Sequence, residues 1–355
     1  MVAMGERYYI SNSELSTWRR CRRKWWLQYY RKLQPKLTDY AGIRRSGSRV
    51  HDVLAVWYSG NRTVSFDPMH CLNEIIETDR SALMQNMSVV WADEALQNSR
   101  LKEFNDAVAY ERAMMEGYIQ WLSETGVDSE FDVISSEQEL VVPFERMSIL
   151  DRVFDVYSVG IVDVQVRRNT DGAIAFLDHK TVQSLTQPLP TLNQNTQMLH
   201  YMWLQHRIGD PVYGVYYNML RRVKRTATAK PPFFDRTFIS HSAHEIEAYE
   251  DHLCGTVYDI LTAVATLDRI AERTPGNSAH HLSAYPSPRS ECSWDCDFFS
   301  VCPLFDDGSH AEAMLSARYE VHNPLDRYKS ITSSTSDTLP VELLSDADAD
   351  SEDEE

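Results

Sequence analysis

At 355 residues with 43% hydrophobic content, the chain carries enough apolar mass for one large domain or two. A net charge of −17 excludes a generally basic nucleic-acid coat, but the charge is uneven: residues 346–355 (DADADSEDEE) hold only acids, Ala and Ser. No run of 18 apolar residues and no signal-peptide core after Met1 is present, so the expectation is a cytoplasmic protein with no membrane partner.

Six cysteines occur, Cys21, Cys71, Cys254, Cys292, Cys296 and Cys302. In a cytoplasmic chain they are not expected as structural disulfides. The crowding of the last three points instead to a metal or cluster. No GxxxxGK[ST] motif appears, so the chain has no nucleotide-driven motor of its own.

Taken in order, Ser11 or Ser13 caps a helix that is expected to run to about Leu33, with Cys21 in its middle among Arg19, Arg20, Arg22, Arg23 and Lys24. Gly42–Gly60 predicts a second helix, with Val50, Val53, Leu54 and Trp57 at helical spacing and His51 four residues after Gly47. Residues 67–125 predict two or three helices, an insert over one side of a sheet. Strands are expected over Glu137–Phe144 and Arg152–Tyr157. Thr191–His206 predicts a helix, Val212–Leu220 a buried strand, Phe234–Ile239 an edge strand and His241–Thr274 a long helix. Residues 283–308 form a Cys-, Pro- and Ser-rich loop region, and residues 323–355 predict a disordered acidic tail.

The most informative stretch is Gly160–Thr181. Val159–Arg168 and Ala173–Lys180 read as two strands joined by Asn169-Thr170-Asp171-Gly172, whose residues suit a tight turn. If those four form the loop, Arg168 pairs with Ala173, and counting back sets Asp163 opposite Asp178. Facing carboxylates repel across a hairpin. The ordinary reading is a surface salt-bridge cluster. Asp178, however, ends the apolar run Ala-Ile-Ala-Phe-Leu, and a half-buried acid there is most economically explained by a cation. Lys180 projects to the same face as Asp178. Gln197 and Tyr201 share one face of the following helix. Cys292-x3-Cys296-x5-Cys302-Pro303 supplies three thiolates, Cys21 is the natural fourth, and four thiolates suit Zn²⁺ or an iron–sulfur cluster. Cys71 and Cys254 look like isolated helix cysteines.

Together these motifs resemble the RecB-like branch of the PD-(D/E)XK nuclease superfamily, in particular its iron–sulfur members. The resemblance rests on six motifs in order: Ser13–Cys21, Gly47–His51, Gly160–Asp163, Asp178–Lys180, Gln197–Tyr201 and Cys292–Cys302. Asp178 stands where Glu is commoner, and three residues rather than two separate the first two C-terminal cysteines. The resemblance implies an α/β fold: a restriction-endonuclease-like central mixed sheet flanked by helices, with a helical insert and a Cys-ligated cluster joining the N- and C-terminal parts of one domain, residues 8–308. It implies that Asp163, Asp178, His51 and the His179 carbonyl hold Mg²⁺ or Mn²⁺. Lys180 would orient the attacking water and help deprotonate it, while Gln197 and Tyr201 contact the strand or brace Lys180. Cys21, Cys292, Cys296 and Cys302 would ligate a [4Fe–4S] cluster, with zinc as the alternative.

The activity implied is a metal-dependent DNA exonuclease acting on single strands or ends, in recombination, repair or phage DNA processing. A helicase or recombination protein is the implied partner, and the setting is the host cytoplasm if the chain is phage-encoded. A non-catalytic DNA-binding subunit, or a nuclease for RNA or junctions, remains the alternative. Arg19, Arg20, Arg22, Arg23, Arg44, Arg45 and Arg49, with Arg221, Arg222, Lys224 and Arg225, are candidate cations for a DNA path. The acidic tail would compete with DNA for them. Deleting residues 345–355 is therefore expected to tighten DNA binding at low salt in a titration, and an unchanged affinity would dispose of the idea.

Overall fold

The computed structural model describes residues 5–60, 66–90, 94–224, 226, 228–273 and 277–333. Arg225 and residues 334–355, which hold the acidic stretch, lie outside them. In chain order, β1 (Glu6–Ser11) leads into α1 (Asn12–Arg20) and α2 (Arg22–Trp25), then β2 (Leu33–Pro35), α3 (Ile43–Ser59), α4 (Pro68–Val90) and α5 (Glu94–Thr125). The strands β3 (Phe131–Ile149), β4 (Arg152–Arg168) and β5 (Ile174–Val182) follow, then α6 (Thr196–Ile208), β6 (Gly214–Arg221), β7 (Phe234–Ser240) and α7 (Ala243–Arg273). Last come α8 (Cys292–Asp295), α9 (Ala311–Arg318), β8 (Tyr319–Val321) and α10 (Lys329–Ser333).

The main sheet is mixed, in the order β1-β4-β5-β6-β7, with β3 also on β4. β3 runs antiparallel to β4 along its whole length and occupies one edge. The other edge is shared: β1 pairs in parallel with Phe154–Val159, and β5 pairs antiparallel with Val164–Arg167. Residues 160–163 sit between the two partners. One apolar layer packs α1, α6 and α7 against the sheet through Ile10, Val162, Phe176 and Val215. A second packs α3, α4 and α5 through Val164, Ala175, Leu177 and Leu220. On β5, even positions face the α6 layer and odd positions the α3–α5 layer. Among the described residues no helix is long and apolar enough to cross a membrane.

Several expectations are corrected. The helix from Ser11 is not continuous: Cys21 is extended (φ −160°, ψ 116°) and splits α1 from α2, after which Trp26–Tyr30 forms a π-helical turn. Immediately past the break Arg23 is buried and donates to the carbonyls of Ala279, Ala284 and Cys302. That long-range anchoring overrides local helical propensity. The helix expected from Thr191 starts at Thr196, because Asn195 takes the cap and accepts from the Gln197 N–H at 3.0 Å. Leu189–Gln194 before it is a 3-10 segment.

Arg152–Tyr157 and Val159–Arg168 are one strand, since Ser158 is buried and faces His200 Nε2 at 3.3 Å rather than marking a turn. β3 is longer than expected and absorbs Pro143 at a bulge. The predicted disorder does not begin at 323. Tyr328 and Ile331 pack on Val159, and the Glu139 carboxylate accepts the N–H groups of Lys329 (2.8 Å) and Ser330 (2.9 Å). The residues just before this segment are tied down as well, by pairing of β8 with β2.

Among the described residues the insert, 67–125, is two helices held to α3 by a buried charge triad. Arg49, with no exposed surface, donates to Glu111 at 2.8 and 2.7 Å and to Asp79 at 2.7 Å. Arg49 therefore belongs to the packing of α3, two residues from His51, and not to a DNA path. Removing one member of such a triad strands a buried charge. Glu111→Ala is expected to lower the unfolding free energy by about 3–5 kcal/mol in urea melts.

Candidate active site

The hairpin forms as its residues dictate. The Arg168 N–H donates to the Ala173 carbonyl at 2.9 Å, and Gly172 takes φ +70°. The ladder pairs Val164 with Leu177, so the next step inward brings Asp163 opposite Asp178. Asp163, half-buried, accepts from the His179 backbone N–H at 2.9 Å and lies 3.4 Å from His51 Nδ1. His51 thus reaches the hairpin from α3. α3 runs close to β5 there: a Cβ on Gly47 would meet Thr181 Oγ1 at 3.4 Å, an ordinary contact.

Asp178 is buried, 4% exposed. Lys180 Nζ donates to its Oδ1 at 3.1 Å and to Gln197 Oε1 at 2.9 Å, and Gln197 Nε2 donates to the Tyr201 hydroxyl at 3.1 Å. Asp178 Oδ2 lies 3.0 Å from the same ammonium but outside hydrogen-bond geometry, and has no other partner. Burial pushes the Asp178 carboxyl up to about 6, with Lys180 opposing and Asp163 adding to the rise. Burial alone would lower Lys180, but Asp178 and Asp163 outweigh it and hold the ammonium charged. The His179 ring turns to the other side of β5, where it stacks on Tyr58 and faces Asn218 Nδ2 through Nδ1 at 2.9 Å. Desolvation keeps that ring neutral.

Tyr201 and Leu204 close over β4 at Gly160. A Cβ there would sit 2.8 Å from the Tyr201 ring and 2.9 Å from Leu204 Cδ1. The glycine of the motif is needed for approach, at a position where β4 has no strand partner on that edge.

One residue near this centre carries no sequence signal that singles it out. Glu137 lies between the pairs Ser136–Val164 and Gln138–Val162, hence across from Asp163, and it adopts φ +51°. Its desolvating surroundings and then the Asp163 charge raise its carboxyl.

The four cysteines assigned to a cluster are all partly buried. Cys21 Sγ accepts the Ser287 N–H at 3.5 Å, and Cys292 Sγ accepts the Arg289 N–H at 3.4 Å. Burial raises Cys296 and pushes Cys302 up to about 11, and the charge of Cys21 adds to both. Cys21, Cys296 and Cys302 thus lie within electrostatic reach of one another. Among the described residues, though, no group of three or more His, Cys, Asp or Glu side chains converges closely enough to hold a metal ion, either here or at the hairpin. At the hairpin the donor types fit a divalent cation: two carboxylates, one with a buried oxygen left unbonded, and an imidazole.

Much of the candidate DNA path is otherwise engaged. Arg23 holds Asp306 as well as three carbonyls, Arg20 and Arg44 pair with Asp295, and Arg45 pairs with Asp79 at 2.6 Å. Arg22 stacks on Trp18, Arg19 meets His252 at 3.0 Å, and Lys224 pairs with Asp106 at 3.0 Å. Arg221 donates to the Lys230 carbonyl, and Arg222 lies over Tyr110. Sequence clustering of arginines marked structural anchors, as ordinary surface and buried pairs do.

The fold is thus a mixed sheet with a helical layer on each face, carrying an acid–lysine pair on β5 opposite an acid on β4. The family model of the PD-(D/E)XK nuclease superfamily matches residues 9–303, and the chain belongs to that superfamily, whose nucleases typically use Mg²⁺ or Mn²⁺. No curated protein matches the chain.

Gly160→Ala is expected to force Tyr201 and Leu204 off the strand. The change should lower stability by about 1–3 kcal/mol in urea melts.

Proposed function

We propose that the protein is a metal-dependent DNA exonuclease of the RecB-like branch, acting on single strands or DNA ends. The observation that carries the catalytic part is the Lys180 ammonium, hydrogen-bonded to both Asp178 and Gln197 while one oxygen of buried Asp178 is left unbonded beside Asp163 and His51. In this reading Asp163, Asp178, His51 and the His179 carbonyl hold Mg²⁺ or Mn²⁺. A cation bound there supplies Lewis acidity at the phosphoryl oxygen and a more acidic water.

The chain's own residues do the rest. Lys180 works as a charged donor: it orients the attacking water and offsets phosphate charge. Asp178 and Asp163 favour its charged form against burial. Gln197 fixes the Lys180 amine along the face of β5, and Tyr201 fixes Gln197. The His179 N–H orients the Asp163 carboxylate. Cleavage of ends is supported by the resemblance in motif order rather than by any geometry of the site.

Cys21, Cys292, Cys296 and Cys302 are proposed ligands of a [4Fe–4S] cluster with a structural role. Support comes from the break at Cys21, which sets that residue outside the helix, and from N–H donors to two of the sulfurs. Protons must leave Cys296 and Cys302 on ligation, since burial holds both as thiols. Anaerobic purification with iron and sulfide analysis separates this cluster from zinc.

Asp178→Asn and Lys180→Met are each expected to reduce Mn²⁺-dependent cleavage of end-labelled single-stranded DNA by about 10²–10⁴-fold, with the circular dichroism spectrum retained. A circular single strand should resist the unaltered protein. Full activity in both variants would sink the mechanism, and cleavage of the circle would sink the exonuclease assignment.

A further inference from the structure

A cavity of about 670 Å³ opens between the N-terminal helices, α3 and the returning segment 322–328. Ser48 of α3, one turn before His51, lies in its wall, as do Gln28, Tyr29, His322, Arg327 and Tyr328. Three features of this wall have no role in the site already described.

Gln28 Oε1 is buried and has no hydrogen-bond partner. Such an orphan acceptor is costly unless something donates to it. Arg327 is exposed and forms no ion pair among the described residues; its guanidinium carbon lies 5.5 Å from the centre of the Tyr328 ring. The other two arginines of the wall are engaged, Arg44 by Asp297 at 2.6 Å and Arg45 by Asp79. The remaining acid of the wall, Asp39, is exposed. Tyr29 is partly buried and lies near enough to Arg327 to feel its charge.

The cavity adjoins the catalytic hairpin: Tyr328 of its wall packs on Val159 of β4, next to Gly160, and Ser48 precedes His51 by one turn of α3. Arg327 and Tyr328 lie beyond residue 303, where the match to the family ends.

We propose that this cavity is a nucleotide subsite for a single strand whose neighbouring phosphate enters the hairpin. Arg327 takes a phosphate of that nucleotide, and the Gln28 carbonyl oxygen accepts a hydrogen bond from its base. The volume suits one nucleotide with water. This rests on the nuclease reading and adds to it a strand path built partly by a segment outside the family match.

The test uses the full chain in EDTA, so that nothing is cleaved, and a fluorescein-labelled mixed-sequence DNA oligonucleotide read by anisotropy. Arg327→Gln is expected to weaken binding about tenfold at low salt. It should also reduce the slope of log Kd against log salt by about 0.7, the loss of one single-strand phosphate contact. Gln28→Leu is expected to weaken binding to the same oligonucleotide while binding an abasic strand as the unaltered protein does, which a general packing defect would not produce. Unchanged affinity and slope in Arg327→Gln overturn the subsite while leaving the nuclease reading intact, provided the unaltered protein cleaves the strand in Mn²⁺. An unaltered protein that neither binds nor cleaves it overturns both.

Discussion

The geometry of the site depends on one constraint, the change of partner along the second edge of β4. β1 leaves that edge at Val159 because its last residue, Ser11, is also the cap of α1, accepting the Glu14 N–H at 3.3 Å. β5 joins at Val164. The interval of residues 160–163 is thereby free of a strand on that side. Into it come the α6 side chains Tyr201 and Leu204 over Gly160, and at its end Asp163 can receive the His179 N–H through its side chain. Had β1 continued, its backbone would have filled this gap. The motif glycine and the motif aspartate therefore belong to one structural fact, three residues apart.

Charge repulsion at that point is managed by sharing. Each carboxylate of the facing pair is given a donor: Asp163 the His179 backbone N–H, Asp178 the Lys180 ammonium. Lys180 is in turn held by Gln197, so the charge balance of the hairpin reaches α6. His51 approaches from the opposite helical layer, and its helix is fixed by Arg49 bonded to both insert helices. The insert has no motif of its own, yet it sets the position of α3. A buried triad of this kind adds little net stability but strongly disfavours any other packing of the three helices.

Local chemistry was readable from the residues, and long-range anchoring was not. The turn at Asn169–Gly172 and the facing of Asp163 and Asp178 followed from strand period and turn preference, both short-range rules. The long helices α3, α5 and α7 followed from their apolar spacing. Arg23 shows where such reading ends. In sequence it is one of five cations around Cys21; in the fold it is 1% exposed and bonded to three carbonyls over 250 residues away. Helical period cannot register that demand, so the break at Cys21 was missed along with it. Glu137 was missed for a related reason: its place opposite Asp163 depends on a bulge between Val133 and Ser135, and a one-residue slip of register is invisible to alternation.

Arg23 also changes what a cluster at the four cysteines would do. The N-terminal helices are already joined to the C-terminal loop by Arg23 to Ala279, Ala284, Cys302 and Asp306, by Arg20 and Arg44 to Asp295, and by Lys24 to the Asp295 carbonyl. Most of these bonds are made to backbone carbonyls and do not need deprotonated thiols. A four-thiolate centre would then reinforce a junction that charge and hydrogen bonding have brought together, rather than create it. Of the arginines beside Cys21, Arg20 and Arg23 find their partners among the carbonyls and carboxylates of residues 279–306, while Arg19 and Arg22 meet His252 and Trp18. The cations left for a phosphate are those, like Arg327, that the junction does not use.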